Sequence, residues 1–402
     1  MKRLLPLFVL LGLLATSCSK DMFDDLKNWV DNLDGGSNGT IPNNEIWYTN
    51  GSTKDATEPY DVSAFDVDIV SNTYNPSKNC WVIKFDGEVK SIGEYAFYGR
   101  TELTSVTIPC GVTSIESASF ALCTDLKKFV SEFASVDGRT LIVDGNLVAF
   151  APAGLSSYTT PGGVVTIDDC VFSNCYDLES IVISDGVLSI GDSVFNNSHN
   201  LTSVVLPATI TEIGDTAFAY CMALTDISIP NRVTSIGSGA FAFCNSLTAI
   251  KIADSVTSLG NNVFEGCQEL ESVVLGNGIT AIPNYAFFKC DKLSNVVFGD
   301  NVTTIGELAF KYCMSLTSIT IPETVVAIGE RVFRVCLNLE RVYCKAITPP
   351  TAVVTYDGWM VFDDNAVERR IYVPTASVEA YKLADGWIEY ANSIVGYNFE
   401  KE

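Results

Sequence analysis

The chain has 402 residues, of which 47% are hydrophobic and 11% aromatic, so it can bury sizeable cores and is not intrinsically disordered as a whole. Its 25 Lys and Arg residues against 48 Asp and Glu residues leave a formal net charge of −23, the wrong sign for a non-specific binder of nucleic acid or anionic membranes. The single histidine, His199, argues against serine, cysteine and zinc hydrolases, because those sites need imidazole as a base or ligand.

The N-terminus has the pattern of a secretory signal peptide over residues 1–17. Two basic residues precede an apolar run from Leu4 to Ala15, which is shorter than the roughly 20 residues that cross a bilayer. The small residues before Cys18 resemble a bacterial lipobox, although Ala15 stands where leucine is usual, and residues 19–25 are similar to the acidic export signals of Bacteroidetes surface lipoproteins. These resemblances imply lipidation of Cys18 and a surface-exposed anchor in the outer membrane. The alternative is ordinary signal cleavage that leaves a free cysteine.

Two segments separate the signal from the regular part of the chain. Residues 18–45 are polar and carry Asp-Gly-Gly-Ser-Asn-Gly at 34–39, which predicts a flexible, lipidated tether. Residues 46–90 interleave aromatic with polar residues, and we expect them to cap the N-terminal end of the following domain.

A 23-residue repeat organises residues 91–345. Phenylalanine recurs every 23 residues, with one spacing of 52 between Phe120 and Phe172. When each phenylalanine is counted as position 0, cysteine recurs at position 3, leucine at 6, apolar residues at 9, 11, 15 and 18, and glycine at 19. The phenylalanines at position 0 are Phe97, Phe120, Phe172, Phe195, Phe218, Phe241, Phe264, Phe287, Phe310 and Phe333.

Each repeat is predicted to form one coil of a solenoid, because a unit of this size buries its apolar residues only by stacking on its neighbours. Alternation at positions 7 to 11 predicts a strand with one buried face, and proline at position 12 ends that strand. Glycine at position 19 predicts a turn with positive φ before a short helical turn at the Ala-Phe pair. The strands of successive coils are expected to be parallel and in register.

The repeated pattern I-G-x-x-A-F-x-x-C-x-x-L-x-x-I-x-I-P-x-x-V-T resembles the BspA-like leucine-rich-repeat family of bacterial surface proteins. The resemblance implies an α/β repeat solenoid of leucine-rich-repeat type, capped at both ends, and a role in adhesion. It does not identify a ligand, since one scaffold serves many partners.

The repeat is interrupted twice. Near residues 136–150, Asp-Gly pairs between apolar runs predict an inserted hairpin. Beyond Cys344 the pattern fails at Thr348-Pro349-Pro350, and residues 346–402 are expected to form a strand and a helix that cap the C-terminal end.

The eight cysteines at position 3 are interpreted as buried thiols that act as small hydrophobic groups. They are 23 residues apart or more and lack histidine partners, unlike metal sites, and identical side chains on in-register coils do not face one another as disulfides require. The sequence leaves open whether any of Cys80, Cys110, Cys170 and Cys344 form a disulfide. No catalytic residue, cofactor or metal site is predicted.

The candidate ligand-binding face is formed by positions 8 and 10, which point away from the core. These positions carry mostly hydroxyl residues and valine, a composition that also suits any half-exposed strand. The candidate residues are Ser105, Thr107, Ser180, Val182, Ser203, Val205, Asp226, Ser228, Lys251, Ser272, Val274, Asn295, Val297, Ser318 and Thr320.

The preferred hypothesis is a non-catalytic surface adhesion scaffold that binds a host or bacterial macromolecule, preferably a protein, through this face. The alternative is a glycan-binding lipoprotein that captures nutrients. Contact with the membrane is expected only through the lipid anchor, and no nucleic-acid partner is expected.

Overall fold

Short strands repeat once per coil and form a row, here called the face row, that carries positions 8 to 10. In the computed structural model, which describes residues 41–353 and 360–401, those strands of this row that pair with each other are parallel and in register, as in the pairing of Ser180 with Ser203 and of Val182 with Val205. The face-row strands are Ser105–Thr107, Lys128–Val130, Ser157–Thr159, Ser180–Val182, Ser203–Val205, Ala249–Lys251, Ser272–Val274, Asn295–Val297, Ser318–Ile321, Arg341–Cys344, Arg370–Pro374 and Ile394–Tyr397. The predicted solenoid with in-register strands is confirmed, and it has about 13 turns.

A second row of two-residue strands contains the apolar residue at position 18. These strands are also parallel and in register, as where Ile213 pairs with Ile236. They are Ser91–Ile92, Ser114–Ile115, Thr166–Ile167, Ser189–Ile190, Glu212–Ile213, Ser235–Ile236, Ser258–Leu259, Ala281–Ile282, Thr304–Ile305, Ala327–Ile328 and Thr351–Ala352.

The position-0 phenylalanines form a buried ladder along the solenoid. From Phe172 onward, successive rings are stacked with their centroids 5.0–5.5 Å apart, and Phe362 continues the stack after Phe333 at 5.5 Å. Burying one such side chain contributes about 1.5–3 kcal/mol, so this row is a main source of coil-to-coil stability.

The segment around each phenylalanine consists of tight turns, and the predicted helical turn was wrong. Residues two before and two after the phenylalanine have positive φ, as at Thr216 (51°) and Tyr220 (61°). This backbone directs N–H groups to the next coil instead of along the chain, so the Phe218 N–H donates to the Ala240 carbonyl at 2.7 Å.

The glycines at position 19 are needed for close packing, and the predicted positive φ at this position was wrong. Positive φ occurs elsewhere in the coil, and these glycines are not among the residues that show it. At Gly306, an added Cβ would lie 2.7 Å from Asn284 N of the preceding coil, which is closer than real Cβ contacts. Glycine is therefore required because two backbones meet there.

Both ends of the solenoid are covered by irregular elements. On the N-terminal side, strand Glu45–Thr49 pairs antiparallel with Cys80–Phe85 and with the first face-row strand, while Ile69–Asn75 pairs with Cys80–Phe85. A 3-10 turn at Val62–Ala64 accompanies them. On the C-terminal side lie the helix Val378–Leu383 and 3-10 turns at Thr375–Ser377, Ile388–Ser393 and Phe399–Lys401.

A hairpin interrupts the regular coils. Strands Thr140–Val143 and Asn146–Phe150 pair antiparallel around the Asp144-Gly145 turn. The hydrophobic core is divided at this point. Leu147 and Phe150 pack with the C-terminal coils, whereas Leu141 and Val148 pack with the N-terminal coils.

Residues 1–40 lie outside the described residues, and with them the predicted signal peptide, Cys18 and most of the tether. Within residues 41–353 and 360–401, no helix has the length and apolar content that a membrane crossing needs.

Candidate functional site

The fifteen candidate residues lie on the outer side of the face row. All are half-buried or exposed, and Val182, Val205 and Val297 have 41%, 51% and 47% of their surface accessible. The residue between each pair, at position 9, points inward and is buried in most coils, as Ile181 and Val204 are. Side chains therefore alternate as a strand with one buried face requires.

Among the described residues, the ladder of the face row is interrupted between Lys128–Val130 and Ser157–Thr159, between Asn295–Val297 and Ser318–Ile321, and in the middle at residues 226–229, contrary to the predicted continuous sheet. Residues 226–229 form no strand, and among the described residues no backbone hydrogen bond joins them to the coil before or after. Pro230 removes one donor that another coil uses, but this does not by itself explain the interruption, because Pro207 at the same repeat position follows the strand Ser203–Val205, which pairs normally. At the equivalent position of another coil, the Lys345 N–H donates to the Ile321 carbonyl at 3.0 Å, and proline has no such donor.

The interruption at residues 226–229 leaves a shallow depression of about 520 Å³ in the face. Its polar lining comes from Asp226, Ser228, Asn231, Lys251 and Ser272. The backbone N–H and C=O groups of residues 226–229 are not used within the sheet here, so they are free to hydrogen-bond to water or to a ligand.

Charge is sparse on the candidate face. Among its fifteen residues, Asp226 is the single carboxylate and Lys251 the single cation, although the whole chain has a net charge of −23. Fully buried interface centres are depleted of charged residues in the same way, because charge is costly to desolvate.

Both caps extend the face with residues that the sequence reasoning did not assign to it. At the N-terminal end, Trp47 and Thr49 pair with Thr107 and Ser105, and the Thr49 and Ser105 hydroxyls lie 2.6 Å apart. The sequence did not reveal this contribution of the N-terminal cap to the face, because the pairing is antiparallel and involves a segment outside the repeat.

At the C-terminal end, Arg370 and Tyr372 continue positions 8 and 10 after Arg341 and Tyr343. A sequence signal for this extension exists, since Arg-Ile-Tyr-Val at 370–373 repeats the arrangement of Arg-Val-Tyr-Cys at 341–344.

The position-3 cysteines are part of the structure and are closed to a ligand. Seven of their thiols donate to the carbonyl of the phenylalanine one coil earlier, as Cys267 Sγ does to Phe241 O at 3.1 Å. In one coil the Ser198 hydroxyl makes the same bond to Phe172 O at 2.8 Å. Burial raises the pKa of the Cys123 and Cys267 thiols to about 12, so they remain protonated near neutral pH. The thiols are thus hydrogen-bond donors as well as small apolar groups.

The four cysteines outside this row occupy different surroundings. Cys110 is exposed, Cys170 is half-buried, and Cys80 and Cys344 are buried. All twelve cysteines of the described residues are free thiols. Cys344 Sγ lies 3.2 Å from the Tyr381 hydroxyl, which in turn donates to Ala346 O at 2.8 Å.

Comparison with known proteins identifies the repeat. A family model described as the BspA type leucine-rich-repeat region, in six copies, matches residues 67–136, 146–271 and 257–349. No curated protein matches the chain.

Three of the solved structures that match the chain are leucine-rich repeat proteins. A leucine-rich repeat protein from Bacteroides ovatus is 22% identical, with a TM-score of 0.50, and the match covers 90% of this chain and 100% of that one. A leucine-rich cell surface protein from Faecalibacterium prausnitzii is 24% identical, with a TM-score of 0.41, and covers 79% and 95%. A leucine-rich repeat protein of T. pallidum is 25% identical, with a TM-score of 0.41, and covers 46% and 86%.

Proposed function

The chain belongs to the BspA-type leucine-rich-repeat family, and we propose that it is a lipid-anchored scaffold on the bacterial surface that binds a macromolecule through its face row, without catalysis. The face row is the observation that carries this proposal. Its fifteen candidate residues are mostly small, hydroxyl or valine side chains, and Asp226 and Lys251 are the charged groups among them. A row of this length can supply the roughly 800 Å² per partner of a standard protein interface.

The anchor is inferred from the N-terminal sequence. Cleavage before Cys18 removes Lys2 and Arg3 and changes the formal charge from −23 to −25, since −23 − 2 = −25. Anionic head groups repel such a chain, so attachment to the outer membrane depends on the acyl chains. The tether after Cys18 then holds the solenoid away from the bilayer, where a macromolecule can reach it.

The test is a charge-insertion experiment on the face. The variant V182E/V205E/V297E places three carboxylates at exposed positions of the face row. A matched control, V165E/L188E/V326E, places three carboxylates at exposed apolar residues that immediately precede strands of the second row and are 42%, 44% and 62% accessible. Binding of both variants is compared with that of the unmodified protein on an array of purified extracellular host proteins.

We expect the face variant to lose binding to the proteins that the unmodified protein captures, and the control variant to keep it. Thermal unfolding of all three proteins reports whether the substitutions disturb the fold. Equal losses in the two variants, or none in the face variant, would place the binding surface elsewhere.

The depression at residues 226–229 favours glycan capture as a second candidate function. The depression suits a ligand rich in hydroxyls, because it offers carboxylate, lysine, hydroxyl and amide side chains together with backbone groups that are not used within the sheet. The corresponding test is a polysaccharide array with the D226A/N231A variant as the comparison. Absence of binding across a broad array would count against this candidate.

A further inference from the structure

The C-terminal end of the face differs in chemistry from the rest. Strands Arg341–Cys344 and Arg370–Pro374 are parallel neighbours, and their register places Arg341 beside Arg370 and Tyr343 beside Tyr372. The result is a pair of arginines next to a pair of tyrosines, here called the Arg-Tyr patch. It continues directly from Ser318 and Thr320 of the candidate face.

The tyrosines of the patch belong to a compact aromatic cluster. The rings of Tyr343 and Tyr372 are stacked 4.8 Å apart at an interplanar angle of 14°. Tyr397 meets them edge to face at 5.4 and 5.6 Å, and Phe399 lies 4.9 Å from Tyr397. All four side chains are half-buried, so the cluster is ordered by its own packing before a partner arrives.

The cations of the patch are not neutralised by carboxylates. Arg341 and Arg370 are exposed, and Lys345 lies nearby with its ammonium 5.9 Å from the Phe399 ring centroid. Within the described residues, none of these three side chains forms an ion pair, and Arg370 Nη1 only donates to Asn392 O at a long 3.5 Å. Backbones of neighbouring strands are about 4.8 Å apart, so the two arginines project from adjacent backbone positions on the same side of the face row.

This local charge is opposite to that of the whole chain. The net charge is −23, yet charges beyond the Debye length of about 8 Å at physiological salt are largely screened. The two arginines and Lys345 therefore form a local concentration of positive charge, unpaired within the described residues, on an acidic chain. Two adjacent like charges repel each other, and a bound carboxylate relieves that repulsion.

We propose that the Arg-Tyr patch anchors an acidic segment of a protein partner. Each guanidinium can hold one carboxylate through two parallel hydrogen bonds, and the tyrosines add hydroxyl donors and ring edges beside them. Arginine and tyrosine are the residues that dominate binding energy at protein interfaces. A sugar ring stacks on an open aromatic face, whereas Tyr343 and Tyr372 cover one face of each other. The proposal rests on the proposed function, because it names the partner chemistry and the anchor point of the same face.

The test uses fluorescein-labelled poly-L-glutamate as the acidic peptide and fluorescence anisotropy at 150 mM salt as the readout. The R341A/R370A variant removes the two arginines. A matched control, K54A/K127A, removes two exposed cations that lie outside the candidate face and leaves the same net charge. We expect R341A/R370A to weaken binding at least tenfold and the control to change it less than twofold. The Y372F variant is expected to weaken binding a few-fold through loss of its hydroxyl.

Equal weakening in the two double variants would overturn the proposal, since binding would then follow overall charge. The proposal would also be overturned if labelled polygalacturonate bound in a manner that depends on Arg341 and Arg370 while poly-L-glutamate did not bind. That result would assign the patch to an acidic glycan. Thermal unfolding separates loss of fold from loss of contact. If poly-L-glutamate does not bind while V182E/V205E/V297E still abolishes capture of a protein from the array, the patch proposal fails and the face-row function stands.

Discussion

Replacing one ladder cysteine distinguishes two accounts of why cysteine recurs at position 3. Cys267 is fully buried, and its thiol donates to Phe241 O at 3.1 Å. That carbonyl also accepts the Cys244 N–H at 3.3 Å, so it keeps one donor when the thiol is removed. If the thiol acts as a donor, serine should replace it well, because Ser198 already makes this bond in another coil. If it acts only as an apolar filler, serine should be the worst replacement.

The expected magnitudes follow from these contacts. Cys267→Ala removes one net hydrogen bond, about 0.5–1.5 kcal/mol, and the burial of one methylene-sized group, about 0.8 kcal/mol. The sum is about 1.3–2.3 kcal/mol. Cys267→Ser keeps the hydrogen bond and should cost about 1 kcal/mol or less. Cys267→Val fills the space but loses the donor and adds a methyl group to a packed row, so it should cost at least as much as alanine.

The measurement is urea unfolding followed by circular dichroism under reducing conditions. Repeat arrays do not always unfold in one step, so the midpoints of matched transitions are compared instead of extrapolated free energies. We expect the order of stability to be wild type, serine, alanine, valine. A serine variant less stable than both the alanine and valine variants would refute the role of the thiol as a donor.

Three further predictions address packing, ionisation and anchoring. Gly306→Ala should destabilise by about 1–3 kcal/mol because its Cβ meets the preceding coil, whereas Gly162→Ala, with nothing within 4 Å, should be neutral or slightly stabilising in the same urea assay. The free energy of unfolding should fall as the pH rises from about 9 towards 12. The pKa of the Cys267 thiol is about 12 in the folded protein and about 8.5 in the unfolded chain, so the thiol stabilises the fold fully below pH 8.5. This stabilisation is lost as the pH rises from the unfolded towards the folded pKa. Cys267→Ser should reduce that slope by about 1.4 kcal/mol per pH unit, and an unchanged slope would contradict the assignment. Cys18→Ala should abolish acylation and release the protein from the membrane fraction, measured by palmitate labelling; retention of the label would disprove lipidation at this residue.

The sequence predicted most of the solenoid because the repeat reports burial directly. Phenylalanine at position 0 and leucine at position 6 recur without exception, and only stacking of successive coils buries such rows. The strand at positions 8 to 10 follows from alternation of apolar and polar residues. The second strand row was missed because two residues are too few to show a period.

Backbone conformation was predicted less well than burial. Glycine is compatible with positive φ and with close approach, and only the contact of Gly306 with the preceding coil decides between them. Positive φ falls instead on residues such as Thr216 and Tyr220, whose side chains give no hint of it.

The candidate face was located correctly in the repeat but not at its ends or its centre. Placement of its side chains follows from strand geometry, whereas their role in binding is still a prediction. The interruption at residues 226–229 depends on hydrogen bonds between coils, and the contribution of Trp47 depends on an antiparallel pairing across the cap. Neither feature can be predicted from the 23-residue spacing of the repeat.

The division of the hydrophobic core at the hairpin has a mechanical consequence. In the proposed anchored scaffold, a pull between the N-terminal anchor and a partner bound beyond Ser180 must cross Thr140–Val143 and Asn146–Phe150. Val148 packs with the N-terminal coils and Leu147 with the C-terminal coils, so adjacent residues of one strand join two separately packed blocks. We therefore expect tension to separate the two blocks at the hairpin before it unfolds the coils that hold the partner.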